Sequence, residues 1–202
     1  LLVNTSLRRA STLLLVTIAF LVGCSSSPPI SNRGQMGESE LSFYVEDDQA
    51  YVSGVLDSSL PQQLTQLIKS HPNVTDLVLV DIPGSLDQAA TIEGARMIRR
   101  LGLNTHIART GYVLSGGVDL FLGGVKRTIG PGAGVGVHSW YDAKEWGSEV
   151  NLADPVHASY VNFYLAMGVP ERFYWFTLNA APSERVYFLS PEEFYDYELV
   201  TD

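Results

Sequence analysis

The stretch Leu77-Val78-Leu79-Val80-Asp81-Ile82-Pro83-Gly84-Ser85 decides the fold. Leu77–Val80 is a continuous apolar run, as expected of a strand buried on both faces of a parallel sheet. Pro83-Gly84-Ser85 is a turn. An amphipathic helix follows over Gln88–Leu101, with Ala89, Ile92, Ala95 and Ile98 facing inward and Arg96, Arg99 and Arg100 outward. Gly102 supplies its terminating glycine. A buried strand, a tight turn and a returning helix form one α/β unit.

The same reading extends in both directions. Upstream, Leu41–Glu46 and Ala50–Leu56 flank Asp47-Asp48-Gln49 as a hairpin, and Ser58/Ser59 cap a helix over Leu60–Ser70. Downstream, strands are expected at Asn104–Ala108, Lys126–Ile129, Gly134–His138 and Glu198–Thr201. Helices are expected at Ser115–Gly123, from Pro155 to Met167, from Pro170 to Ala180, and in a short segment capped by Ser190. Trp140–Pro155 reads as a polar connection. This alternation predicts one α/β domain with a mainly parallel sheet over residues 41–202.

The amino-terminal part has a different character. Arg8 and Arg9 precede an uncharged apolar run from Ser11 to Gly23, closed by Leu21-Val22-Gly23-Cys24. This is the layout of a secretory signal, and the run falls short of the ~20 residues of a comfortable membrane span. The closing tetrapeptide resembles the lipobox of bacterial lipoproteins, which implies cleavage before Cys24 and its acylation. Residues 1–24 are therefore expected to be a lipoprotein signal and 25–40, rich in Ser, Pro, Gly and Asn, a flexible tether. The expected location is the cell envelope, lipid-anchored and facing the periplasm or exterior. Cys24 is the only cysteine, which excludes an intrachain disulfide. Without Arg8 and Arg9 the chain keeps 11 of its 13 basic residues against 22 acidic ones. That balance disfavours nucleic acid as a partner, because phosphate binding needs concentrated Lys and Arg. Attachment to the membrane is expected through the acyl chains and not through a basic patch.

Three segments carry candidate chemistry. Asp81-Ile82-Pro83-Gly84-Ser85 joins a buried strand to a helix, where backbone N–H groups can face an anion or oxyanion. Gly111-Tyr112-Val113-Leu114-Ser115-Gly116-Gly117 sets Ser115 at the opening of a short helix, as an N-cap or as a nucleophile. Val113 occupies the first Gly position of Gly-x-Ser-x-Gly, so the α/β-hydrolase elbow is disfavoured. Gly132-Ala133-Gly134-Val135-Gly136-Val137-His138-Ser139-Trp140 ends an apolar strand on His138, where a general base would sit. No Asp, Glu and His spacing resembles a metal motif. His157 reads as a chance surface or core histidine. Arg172-Phe173-Tyr174-Trp175-Phe176 reads as core or subunit interface, with a substrate groove as the lesser option.

In this order and spacing the segments resemble the Clp protease proteolytic subunit and its crotonase-like superfamily, from about Tyr51 to Val200. An exported branch of predicted periplasmic proteins looks closest. Tyr51-Val52-Ser53-Gly54 resembles the opening strand, Asp81–Ser85 the Ser-Pro-Gly-Gly loop, and Leu114-Ser115-Gly116-Gly117 the nucleophile. Gly123-Gly124-Val125-Lys126-Arg127 resembles the stretch after the nucleophile helix, and Val137-His138-Ser139-Trp140 the catalytic histidine. Phe188–Glu193 and Tyr197–Val200 resemble the closing segment. The resemblance implies a superhelical ββα fold, Ser115 as nucleophile and His138 as its base. It implies an oxyanion site built from backbone N–H groups of Gly84 or Ser85 and of Gly116.

One departure matters. The third triad member, an Asp, falls at Val186, which cannot orient an imidazole. Asp119, Glu184 or Asp142 substitutes, or the site runs as a dyad, or it is dead. Asp119 lies four residues after Ser115, on the same helix face; its alternative is a solvated helix charge. A Ser–Lys arrangement has no matching lysine, since Lys126 and Lys144 read as surface residues. The leading expectation is a lipid-anchored extracytoplasmic serine hydrolase, peptidase-like, that takes a peptide or acyl substrate without metal or cofactor. The alternatives are an inactive envelope scaffold of the same fold and, less favoured, crotonase-type thioester chemistry. Self-association into a homo-oligomer is an expectation from the resemblance alone.

Overall fold

A computed structural model describes residues 40–142, 144–182 and 184–201. The expected signal, the tether up to residue 39 and Cys24 lie outside the described residues. Among these residues, no helix is long and apolar enough to cross a membrane.

The chain opens on a hairpin, β1 (Ser42–Glu46) against β2 (Gln49–Ser53), turning at Asp47 with positive φ. Helix α1 (Leu60–Ser70) leads to β3 (Asp76–Ile82), which pairs in parallel with β2. Helix α2 (Gln88–Leu101) is capped by the Asp87 carboxylate and stopped by left-handed Gly102. Strand β4 (Asn104–Leu114) is the spine of the sheet. It pairs in parallel with β3 on one side. On the other, its first half pairs with β5 (Arg127–Ile129) and its second half with β6 (Gly134–Val137). Helix α3 (Gly116–Leu122) lies between them in sequence, and all seven of its residues are buried. Helices α4 (Pro155–Ala166) and α5 (Glu171–Ala180) pack on each other. Strand β7 (Tyr187–Phe188) then closes antiparallel on β6, and α6 (Pro191–Asp196) ends the regular structure. The sheet order is β1-β2-β3-β4-β6-β7, with β5 beside β4. The α/β class and the mainly parallel sheet are as expected.

Two expectations need correction. The strand at Asn104–Ala108 runs on to Leu114, because β4 changes neighbour at Arg109-Thr110-Gly111, where Thr110 has positive φ. The strand expected at Glu198–Thr201 does not form. Its carbonyls are instead taken by the buried Arg127 side chain: Nε donates to Leu199 O (2.7 Å) and Nη2 to Glu198 O (3.0 Å), while Nη1 donates to Met167 O (2.8 Å). A single peptide pairing remains, Thr201 N–H to Arg127 O at 3.0 Å. Burial, and then the charge of nearby Arg99, push the Arg127 guanidinium down to about 10. It stays charged at neutral pH and serves as a many-handed tie for the end of the domain.

Candidate active site

Ser115 stands at the end of β4, directly after Leu114, with φ 53° and ψ −124°. A side chain in that region of backbone space costs about 1–3 kcal/mol and persists only when neighbours impose it. Here the Ser115 N–H donates to Gly136 O (2.9 Å) on β6, and the Ser115 carbonyl accepts from Val118 N–H (2.9 Å). The serine is thereby turned out of the sheet at the point where β4 gives way to α3.

The loop after β3 meets this turn face to face. A Cβ placed on Gly84 would lie 3.8 Å from the Ser115 Cβ, and one placed on Gly116 only 2.5 Å from the Ser85 Cβ. Gly116 is thus a position where close approach demands glycine. The loop is pinned by Leu56 N–H to Gly84 O (3.0 Å) and Leu86 N–H to Leu56 O (2.7 Å). The Ser85 hydroxyl pairs with Thr91 Oγ1 (2.7 Å), facing α2. Among the described residues no hydrogen bond uses the N–H groups of Gly84, Ser85 or Gly116.

His138 follows β6 and is half-buried. Its Nδ1 lies 2.7 Å from the carbonyl of Ser139. A carbonyl only accepts, so Nδ1 carries the hydrogen and Nε2 presents a lone pair. The Ser139 peptide is itself held, by its N–H to Ala181 O (2.8 Å) and by its hydroxyl accepting from Ser148 N–H (3.2 Å). The group beside the imidazole is therefore a backbone carbonyl. Asp119 makes no hydrogen bond to the ring. Val186 packs against Gly136, Asp142 is exposed and accepts from the N–H groups of Lys144 and Glu145, and Glu184 is exposed. Ser115 Oγ and His138 are not hydrogen-bonded to each other among the described residues.

Asp119 is buried, which removes the solvated-charge alternative. A carboxylate in a wholly buried helix needs donors, and it has two: Tyr164 O–H (2.7 Å) and Gln88 Nε2–H (2.6 Å). Burial pushes its carboxyl up to about 6; the two hydrogen bonds and the charge of His138 pull the other way. The folded chain then holds this proton more tightly than the unfolded chain. Stability should fall as pH rises from about 4 to about 6, by roughly 3 kcal/mol in all, and the cost is complete above that window. Urea unfolding at pH 4 and pH 7 should show Asp119→Asn gaining on the wild type as pH rises. Gln88 can turn its amide to accept from the new NH₂. Parallel pH profiles for the two proteins would refute the assignment.

These residues surround one cleft. An outer space of about 490 Å³ and an inner recess of about 40 Å³ are both bordered by Gln88, Ser115, His138, Trp140 and Tyr160; Asp119, Tyr164 and Tyr174 border the recess only. Gln88, Tyr160 and Tyr164 were not anticipated. Tyr160 and Tyr164 do share a helix face at i, i+4 spacing, a signal indistinguishable from core. Tyr174 belongs to the aromatic cluster, which contributes both core and recess. Below it runs a polar chain. Trp140 Nε1–H donates to the Tyr174 hydroxyl (3.3 Å), which donates to His157 Nδ1 (2.7 Å), and His157 Nε2–H donates to Val150 O (3.3 Å). His157 is thus a satisfied core histidine. Among the described residues no cluster of His, Cys, Asp and Glu could hold a metal ion.

No family model and no curated protein matches the sequence. Solved structures do match the fold. A protein assigned as an enoyl-CoA hydratase from Streptomyces coelicolor A3(2) aligns with a TM-score of 0.50 at 16% identity, covering 87% of this chain and 71% of that one. A probable enoyl-CoA hydratase from Mycobacterium tuberculosis H37Rv aligns with a TM-score of 0.50 at 14% identity, covering 80% and 73%. A mutant of the membrane-bound stomatin-specific protease 1510-N aligns at 13% identity with a TM-score of 0.48, covering 78% and 79%.

Proposed function

We propose, from a Clp protease/crotonase-like fold that holds a serine and a histidine in one cleft, that this chain is a serine hydrolase acting on a peptide or related acyl bond. The observation that carries the reading is the backbone of Ser115. It is held in a costly conformation that faces the hydroxyl-bearing residue toward Gly84, beside an imidazole whose Nε2 is left free to accept.

In this mechanism His138 Nε2 takes the Ser115 proton as Oγ attacks the acyl carbon, and later returns it to the leaving group. Free N–H groups of Gly84 or Ser85 and of Gly116 supply donors for the oxyanion; one such donor is worth about 3–4 kcal/mol of barrier. The Ser139 carbonyl holds the imidazole in the right tautomer. Asp119, once ionised, adds negative charge through space without contacting the ring.

A fluorophosphonate probe should label the folded protein, and Ser115→Ala should abolish labelling while the circular dichroism spectrum is kept. The missing Ser115–His138 hydrogen bond favours the second reading, a non-catalytic scaffold. Failure of the folded protein to label with probes of different size would decide for it. We also propose that Cys24 carries a lipid that holds the domain at the cell envelope. Cys24→Ala should leave uncleaved, unacylated precursor. Mature protein of normal size partitioning into detergent despite that change would refute the anchor.

A further inference from the structure

Apart from His138, the ionisable groups that give the cleft around Ser115 its charge are acidic. Asp142, Glu145 and Asp154 border its outer part and Asp119 its recess, and among the described residues no lysine or arginine borders either. The hydrogen bonds that hold Asp119 come from neutral donors, a phenol and an amide, so its charge is met by no cation in contact. Because that carboxylate only accepts, Gln88 gives it the NH₂ end of the amide, and the Gln88 Oε1 is left without a hydrogen-bond partner among the described residues. The Tyr160 hydroxyl has none either, although its ring is fixed by stacking on Trp140 (centroids 5.8 Å apart, 20°) and on Tyr174 (5.3 Å, 10°).

The recess, about 40 Å³, is therefore bordered by residues that carry a carboxylate, an amide oxygen and a phenolic hydroxyl, each able to accept a hydrogen bond. That space is a few times the ~10–15 Å³ needed for one water centre. An ammonium group brings three donors and a compact positive charge. Aromatic walls favour a cation over a neutral group of the same size.

We infer that the recess selects an ammonium-bearing side chain, lysine in a peptide substrate, whose reacting acyl carbon lies at Ser115. This rests on the serine hydrolase reading and specifies its substrate class. The ammonium replaces water against Asp119, Gln88 Oε1 and the Tyr160 oxygen, while its methylene stem crosses between Val118 and Trp140.

The test uses matched peptide phosphonate probes that differ only in the side chain next to phosphorus: lysine, norleucine or glutamate. The lysine probe should label the wild type at least about tenfold faster than the norleucine probe, a difference of ~1.4 kcal/mol. The glutamate probe should be slowest. Asp119→Asn should bring the lysine-to-norleucine ratio close to one. A norleucine rate equal to or above the lysine rate overturns the inference even if a fluorophosphonate labels the protein. If the fluorophosphonate does not label the folded protein, the hydrolase reading falls. Fluorescence polarisation with lysine and norleucine peptides then decides the recess alone: preference for lysine supports its selectivity, and equal binding overturns it.

Discussion

Changing His138 to alanine is expected to slow fluorophosphonate labelling of Ser115 by about 10²–10⁴-fold, the range that a positioned general base contributes. The size follows from the way the ring is held. With Nδ1–H committed to the Ser139 carbonyl, Nε2 cannot carry the hydrogen in the neutral ring, so the imidazole is poised as an acceptor. Ser139 is fixed by its own N–H to Ala181 O and by its hydroxyl accepting from Ser148 N–H, so the group beside the ring is a held carbonyl and not a carboxylate. A carbonyl dipole stabilises an imidazolium less than a full charge does. The wild-type rate should therefore be modest, and the loss should lie toward the lower end of that range. Added imidazole should restore part of the rate to His138→Ala, because the missing ring leaves a space open to the cleft. Unchanged labelling, or a loss that imidazole never restores in a folded variant, would remove His138 from the role of base.

Replacing Arg127 by methionine should destabilise the domain by about 3–5 kcal/mol, enough to unfold a marginal domain outright. Methionine keeps the stem but removes the donors to the Leu199 and Glu198 carbonyls, and leaves Met167 O with Arg99 as its remaining side-chain donor. Arg96→Met, on the exposed face of α2, is the matched control and should shift the urea midpoint very little. Similar midpoints for the two variants would show that the carbonyl shell of Arg127 contributes nothing.

The parts legible in the sequence are those where one local pattern settles the matter. Helix α2 keeps its expected span and its Gly102 stop, with Ala95 and Ile98 buried as expected; Ala89 is instead exposed while Ala90 and Thr91 are buried, and Arg99, expected outward, turns in to donate to Leu122 O and Met167 O. Leu77–Val80 has the composition of a strand buried on both faces, and it extends by only a few residues as β3. Ser115 and His138 stood out because each ends an apolar run beside glycines. What stayed hidden depends on groups without a side-chain signature. The carbonyl of Ser139 orients His138, and any residue type supplies a carbonyl. Asp119 and Gln88 meet across 31 positions of chain, a pairing that no periodicity reports. A seven-residue helix buried on every side has no polar face, so Asp119 looked like a solvated charge. Glu198–Thr201 has β-prone residues, yet Arg127 claims its carbonyls before a strand partner can.

The tie at Arg127 also orders events in time. A chain that emerges amino-terminus first presents Ser115, Arg127 and His138 long before Glu198 and Leu199 exist to receive the guanidinium. Strand β7, which covers β6 beside His138, arrives almost as late. Until those residues appear, the guanidinium keeps its water and the edge of β6 stays unpaired. The nascent domain is thus a sheet with a serine and a histidine already at the ends of its strands but without the clasp at Arg127. The clasp at Arg127 therefore closes only after Glu198 and Leu199 have joined the chain, some seventy residues after the arginine itself.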